Sequence, residues 1–200
     1  MKKRLSPRIL LVIIAAMFLL PLLLAWFMYT GTIDYKPAST RNFGELVEPP
    51  LPLSWENIYL VNPAGGDPMP APDELARHWV VLRPVPAACG ESCEQEVLQL
   101  RQIHRAAGRN QSRVRIALLL EDTSAVADIS RMQEIYTEFN LITGPAGSLR
   151  DIMRQASGDL SSTYLVDPLG NIMMVYASGA DPNHLKKDLK RLLTWSKLDE

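Results

Sequence analysis

Cys89 and Cys93 are the two cysteines of this 200-residue chain, in the segment Cys89-Gly90-Glu91-Ser92-Cys93. A thiolate is both a nucleophile toward disulfides and a ligand for soft metals, so a pair this close admits three chemistries. A redox-active dithiol exchanging with a partner's disulfide needs only two thiols and access. A copper(I) site would use the same sulfurs and recruit a third donor. A structural disulfide is the third reading, although a bridge across so few residues removes little entropy from the unfolded chain. If the cysteines open a helix, their spacing places both sulfurs on one side of its first turn, where orphan N–H groups and the positive dipole end favour thiolate. Glu91, Glu94 and Glu96 oppose that shift.

The elements around the pair follow from hydrophobic spacing. Val97, Leu98, Leu100, Ile103 and Ala107 recur at three- and four-residue intervals, which predicts a helix over 94–107 ended by Gly108. Before the cysteines, His78 to Arg83 is a short apolar run typical of a buried central strand, so the pair sits where a strand hands over to a helix. Val114 to Leu120 is a second buried strand, followed by a helix expected over 126–139. A short strand at Leu141 to Thr143 and a helix over 148–155 come next. Residues 162–166 and 172–176 flank the turn Asp167-Pro168-Leu169-Gly170-Asn171 as a hairpin. Asp181-Pro182-Asn183 caps a closing helix, 184–195, with Leu185, Leu189, Leu192 and Leu193 on one face. Upstream, Trp55 to Val61 alternates like a strand. Strand alternating with helix, then a hairpin, predicts an α/β fold: a thioredoxin-like mixed sheet flanked by helices.

The N-terminus is different material. Ile9 to Met28 are twenty consecutive uncharged residues, enough to span a hydrocarbon core of about 30 Å. The run ends in Trp26-Phe27-Met28-Tyr29, an aromatic girdle rather than a small-residue cleavage site, which favours a retained transmembrane helix. Lys2, Lys3, Arg4 and Arg8 precede it and Asp34 is the first acidic residue, so the tip should stay cytoplasmic and the body cross. The expected organisation is a basic tip (1–8), a transmembrane anchor (9–29), a linker and leading segment rich in Pro, Gly, Ser and Thr (30–54), and a thioredoxin-like domain (55–200). In a bacterium this is a single-pass inner-membrane protein with its domain in the periplasm, where a cysteine pair can be oxidised. Hydrophobic residues at 47% and charged ones at 22% exclude global disorder. A net charge of −1 gives no footprint for nucleic acid.

With these features the sequence resembles the Sco (synthesis of cytochrome c oxidase) family of membrane-anchored copper-handling proteins. The shared features are the single N-terminal span, a strand ending just before Cys89-x-x-x-Cys93, and the later Tyr-Leu-Val-Asp-Pro-x-Gly segment, Tyr164 to Gly170. The likeness extends over about residues 43–195 and also reaches a shorter group of bacterial inner-membrane proteins associated with cytochrome oxidase assembly. It implies copper bound through Cys89, Cys93 and a histidine about five residues before Tyr164, but the matching residue here is Asp159. Ala88 and Glu94 stand where the family has prolines around its cysteines. A cytochrome c oxidase subunit or assembly factor is the implied partner.

By analogy with similar dithiols, Cys89, nearer the strand end, is expected to be the more exposed and to attack, and Cys93 to resolve the mixed disulfide. The alternatives are a Cu(I) chaperone, with copper as cargo and no cofactor required, and an assembly scaffold without chemistry. His104 lies about 16 Å along the helix from Cys93. His78 belongs at the opposite end of the strand, and His184 opens the last helix. Of Met173 and Met174, strand neighbours facing opposite sides, at least one is expected in the core. Asp159 is read as a solvated loop residue, or as a proton relay near the sulfurs; Arg83 as a surface residue just past its strand, or as a cation favouring thiolate. Neither a glycine-rich phosphate loop nor a nucleophile-elbow serine is present in the sequence.

Overall fold

The computed structural model describes residues 6–31, 40–62, 67, 69–86, 89–120, 139–144 and 148–196. The chain divides between residues 41 and 42 into two units. In the first, α1 (Pro7–Tyr29) is long and apolar enough to cross a membrane. Pro7 at its first position loses no intrahelical bond, because the N–H there has no partner in any helix. None of the residues of α1 is buried, and an apolar surface on all sides of a helix this long is what a bilayer core covers.

The second unit contains, in chain order, β1 (Glu45–Pro52), β2 (Tyr59–Leu60), β3 (Met69–Pro70), α2 (Pro72–Leu75), β4 (Trp79–Val85), α3 (Glu91–Ala106), a 3-10 turn (Gly108–Arg113), β5 (Val114–Leu120), β6 (Phe139–Thr143), α4 (Ser148–Ser157), β7 (Thr163–Val166), β8 (Asn171–Tyr176) and α5 (Pro182–Trp195). The strands make one mixed sheet in the order β1-β8-β7-β4-β5-β6-β2-β3. The middle of the sheet, β4-β5-β6, is parallel, and β7, β8 and β1 extend it antiparallel on one side.

Period-two alternation in β4 sends Trp79, Val81 and Val85 to one face and Val80 and Leu82 to the other. On the first face lie Val97, Leu100 and Ile103 of α3 with Leu185, Leu189 and Leu193 of α5. On the second lie Leu149 and Met153 of α4 and Leu75 of α2. The sheet is thus covered on both sides, as a parallel centre requires.

Several boundaries move relative to the sequence reading. Residues 45–52, placed in the linker, pair with β8, so the sheet begins inside that stretch. Pro49, Pro50 and Pro52 are tolerated because β1 is an edge strand that needs a ladder on one side only. The strand expected over 55–61 contracts to Tyr59–Leu60. Residues 126–138 of the expected second helix lie outside the described residues, and Phe139 opens β6 instead. The hairpin turn forms as read. Gly170 has φ +86, a conformation that favours glycine, and a side-chain carbon there would come within 3.1 Å of the Leu53 carbonyl. Asp167 Oδ1 closes the same turn by accepting from the N–H groups of Leu169 at 3.0 Å and Asn171 at 2.8 Å. A register shift near the start of β8 lets Met173 pack on the same core face as buried Met174, so the expected alternation does not hold there.

Candidate functional site

The site lies at the C-terminal end of β4, the position where open α/β sheets generally place ligands. Pro84 and Pro86 supply no N–H, and beyond Leu82 β4 pairs with β5 alone, because its pairing with β7 ends at Leu82 opposite Tyr164. A gap opens there between the sheet end, the first turn of α3 and the 160–161 segment. It is a cavity of about 540 Å³ walled by Val85, Pro86, Cys93, Leu119, Arg150, Leu160 and Ser161, among others.

Helix α3 begins at Glu91, three residues before its expected start, with Gly90 as N-cap. Cys93 is therefore the third residue of the helix and Cys89 lies just ahead of it, rather than both belonging to the first turn. The two are joined in a disulfide with Cα atoms 5.2 Å apart. Their exposure is the reverse of the expectation. Cys89 is 5% exposed and belongs to the core cluster with Val85 and Val97. Cys93 is half-buried and forms part of the cavity wall. The helix turns Cys93 outward, while Cys89, ahead of the N-cap, stays in the core cluster with Val85.

Arg83 is not a surface residue past the strand. Strand β4 continues to Val85, and alternation puts position 83 on the α3 face with positions 79, 81 and 85. There it is 7% exposed, and its Nη2 donates to Glu96 Oε2 of α3 while its Nη1 donates to Thr163 Oγ1 at 2.9 Å. Burial pushes the guanidinium below its ordinary value and Glu96 opposes that shift. Glu96 also accepts from Ser178 Oγ at 3.0 Å and Gly179 N at 3.1 Å. The network ties β4, α3, β7 and the loop after β8 together beside the cavity, and it answers the Glu96 charge one helical turn from Cys93. Ser178 and Thr163 were not singled out from sequence, and Glu96 was read only as a charge opposing thiolate; the signal available was an arginine in phase with the buried side of its strand.

Asp159 is fully engaged in its own loop. Its carboxylate accepts from the Ser161 N–H at 2.9 Å and from the Ser161 hydroxyl, and these bonds hold it below the usual carboxylate range. It is exposed and its carboxylate is bonded within its own loop, as the loop-residue reading expects. Ser161, its partner, lies on the cavity wall.

The histidines are spent elsewhere. His78 Nδ1 lies 2.9 Å from the Ala76 carbonyl, ahead of β4 and so at the end away from the cysteines. His104 is buried with Nε2 3.1 Å from the Val114 carbonyl. His184 stacks on Phe43 with ring centroids 4.6 Å apart. Among the described residues, no group of three His, Cys, Asp or Glu side chains converges as a metal-ligand set.

A family described as "Transmembrane-like, thioredoxin-like, C-terminal domain" matches residues 79–196. No curated protein matches the chain. Among solved structures, yeast Sco1 with copper bound is 13% identical, with a TM-score of 0.53, covering 79% of this chain and 96% of its own. BsSco, described as a member of the Sco family of cytochrome c oxidase assembly proteins with a disulfide switch, is 16% identical at a TM-score of 0.52, covering 74% and 97%. A thiol:disulfide interchange protein from Bacteroides sp. is 16% identical at a TM-score of 0.52, covering 74% and 92%. At such identities the likeness establishes the thioredoxin-like fold.

Proposed function

The chain belongs to the transmembrane-like, thioredoxin-like C-terminal domain family, and on that premise we propose that it is a membrane-anchored thiol–disulfide exchange protein. In this reading Cys89 and Cys93 are the reacting groups. The observation that carries it is their placement: two bonded sulfurs at the strand-to-helix junction, one of them on the wall of a cavity of about 540 Å³. The reduced pair gives two electrons and two protons to a client disulfide, leaving two client thiols and the Cys89–Cys93 disulfide; the reverse reaction oxidises a client dithiol.

Helix α1 and the basic residues before it support a single-pass anchor in a bacterial inner membrane with the domain in the periplasm, a compartment where such a couple cycles. The client we assign is a copper-site subunit of cytochrome c oxidase or a factor in its assembly. This rests on the likeness to Sco proteins.

Copper as cargo fits these residues less well. The cysteines offer two soft donors, but at the third-ligand position stands Asp159, a hard donor whose carboxylate is already bonded to Ser161.

The test is the midpoint potential of the pair in the full chain, measured in glutathione buffers. A value above about −300 mV is expected of a working couple, and a value below it identifies an inert structural bridge. In cells, the Cys89→Ser/Cys93→Ser variant should lower oxidase activity. Unchanged oxidase activity at normal protein level would overturn the exchange reading in favour of a scaffold. Anaerobic Cu(I) titration supplies the remaining comparison, since a stoichiometric complex lost in the same variant would make the protein a chaperone.

A further inference from the structure

We propose that Cys93, not Cys89, is the sulfur through which partners are exchanged, and that the cavity beneath it receives the thiol-bearing polypeptide segment of the client. This rests on the exchange reading above and assigns its chemistry to individual atoms.

Thiol–disulfide exchange is an in-line displacement, so the attacker needs free space on the far side of the sulfur it strikes. Cys89 offers little: it is 5% exposed, packs in the core cluster with Val85 and Val97, and is not part of the cavity wall. Cys93 is half-buried and faces the cavity. The incoming thiolate therefore bonds to Cys93 Sγ, the Cys89–Cys93 bond breaks, and its electron pair leaves on Cys89 Sγ. Cys89, just ahead of α3, leaves as a thiolate near the positive end of the helix. In the reducing direction, Cys93 thiolate attacks the client disulfide and expels one client thiolate. Cys89 thiolate then attacks Cys93 Sγ, closes the intramolecular disulfide and releases the second client thiolate.

The cavity wall matches an extended peptide. Val85, Pro86, Leu119 and Leu160 give apolar contact, and Arg83, Glu96, Arg150, Ser161 and Ser178 put polar groups on the same wall. Its volume of about 540 Å³ lies within the range of sites that enclose small ligands and is too small for a folded surface. Only a segment that has left its own fold can bring a thiol to Cys93 from inside it.

The probe is glutathione, a tripeptide thiol, applied to the oxidised full chain in detergent. The reaction is acid-quenched at early times, alkylated in denaturant and mapped by mass spectrometry. At least a tenfold excess of glutathione on Cys93, with the alkyl label on Cys89, is expected. An even split, or an excess on Cys89, overturns the assignment while leaving exchange intact. No mixed disulfide and no released thiol at any glutathione ratio overturns exchange as well. In a second arm, Ser161→Trp narrows the cavity from its wall. Exchange with glutathione should slow about tenfold while the thermal midpoint and the potential of the pair hold. An unchanged rate overturns the cavity as the client's route.

Discussion

Arg83 and Asp188 are the two charged side chains among the most buried groups described, at 7% and 2% exposure, and the domain answers them differently. Arg83 sits on the central strand and meets an opposite charge, Glu96, on the neighbouring helix, with Thr163 Oγ1 as a second acceptor. Asp188 sits on α5 and meets dipoles. Its Oδ2 accepts from the N–H groups of Phe43 at 2.8 Å and Gly44 at 3.0 Å and from the Tyr176 hydroxyl at 3.0 Å, while Arg191 stands 3.7 Å from Oδ1. Arg83 with Glu96 borders the cavity, where a charge pair shapes the surroundings of Cys93. Asp188 pins the approach to β1 against β8 and α5, where three donors converge on one carboxylate oxygen. The first arrangement can be removed as a pair, and the second cannot.

Asp188→Ala should therefore have the largest effect on stability. It leaves Phe43 N, Gly44 N and Tyr176 Oη without their acceptor, at a cost of about 3 kcal/mol. Urea unfolding should show a lower midpoint at unchanged slope. Asp188→Asn keeps one acceptor oxygen and should lose about half as much. A loss below about 1 kcal/mol for the alanine variant would mean that water reaches these donors and that the contrast with Arg83 is false.

Arg83→Leu comes next. It strands the Glu96 carboxylate beside the sheet, but Ser178 and Gly179 still donate to Glu96 Oε1, so about 2 kcal/mol is expected. The Arg83→Leu/Glu96→Leu variant should recover most of that, because removing both partners of a buried pair is often close to neutral. A double variant as unstable as the sum of the single ones would show that the two side chains act separately.

How far these roles were legible beforehand differs between them. Asp188 occupies the helical phase of Leu185, Leu189 and Leu192, so spacing alone marks it as a charge on the apolar face; what spacing lacks is its partners, which come from residues 43–44 at the other end of the sequence. Arg83 was hidden by Pro84, which reads as the end of a strand. The end of β4 tolerates that proline because it has no β7 neighbour to bond, a fact of sheet topology. The cysteine pair and its strand-to-helix setting were readable from spacing, as were β5, the hairpin and the Asp181 cap, whose side chain accepts from Asn183 N at 2.9 Å. The order of exposure of the two sulfurs was not. It depends on Gly90 starting the helix between them, and a glycine cap leaves no side-chain signal in the sequence.

The smallest effect separates Asp188 from Arg83 by pH. Burial first, then the neighbouring Asp188 charge and the hydrogen bond to it, push the Tyr176 hydroxyl well above its ordinary value. An acid whose folded-state value is raised holds its proton more tightly in the native state than in the unfolded one. Its contribution is complete below the unfolded value, about pH 10, and is lost as pH rises from there toward the folded value. Tyr164, also raised chiefly by burial, adds a second contribution of the same sign. Stability of the wild-type chain should thus fall above about pH 10 by up to about 1.4 kcal/mol per pH unit for each tyrosine. Tyr176→Phe should remove one proton's worth of that slope. Near neutral pH it should cost only about 1 kcal/mol, since Asp188 keeps its two backbone donors. Arg83→Leu should leave the Tyr176 contribution to the alkaline slope in place, because that shift comes from burial and Asp188. Equal alkaline slopes in wild type and Tyr176→Phe would show that the hydroxyl titrates as it does in water, and that Asp188 is not sealed from solvent.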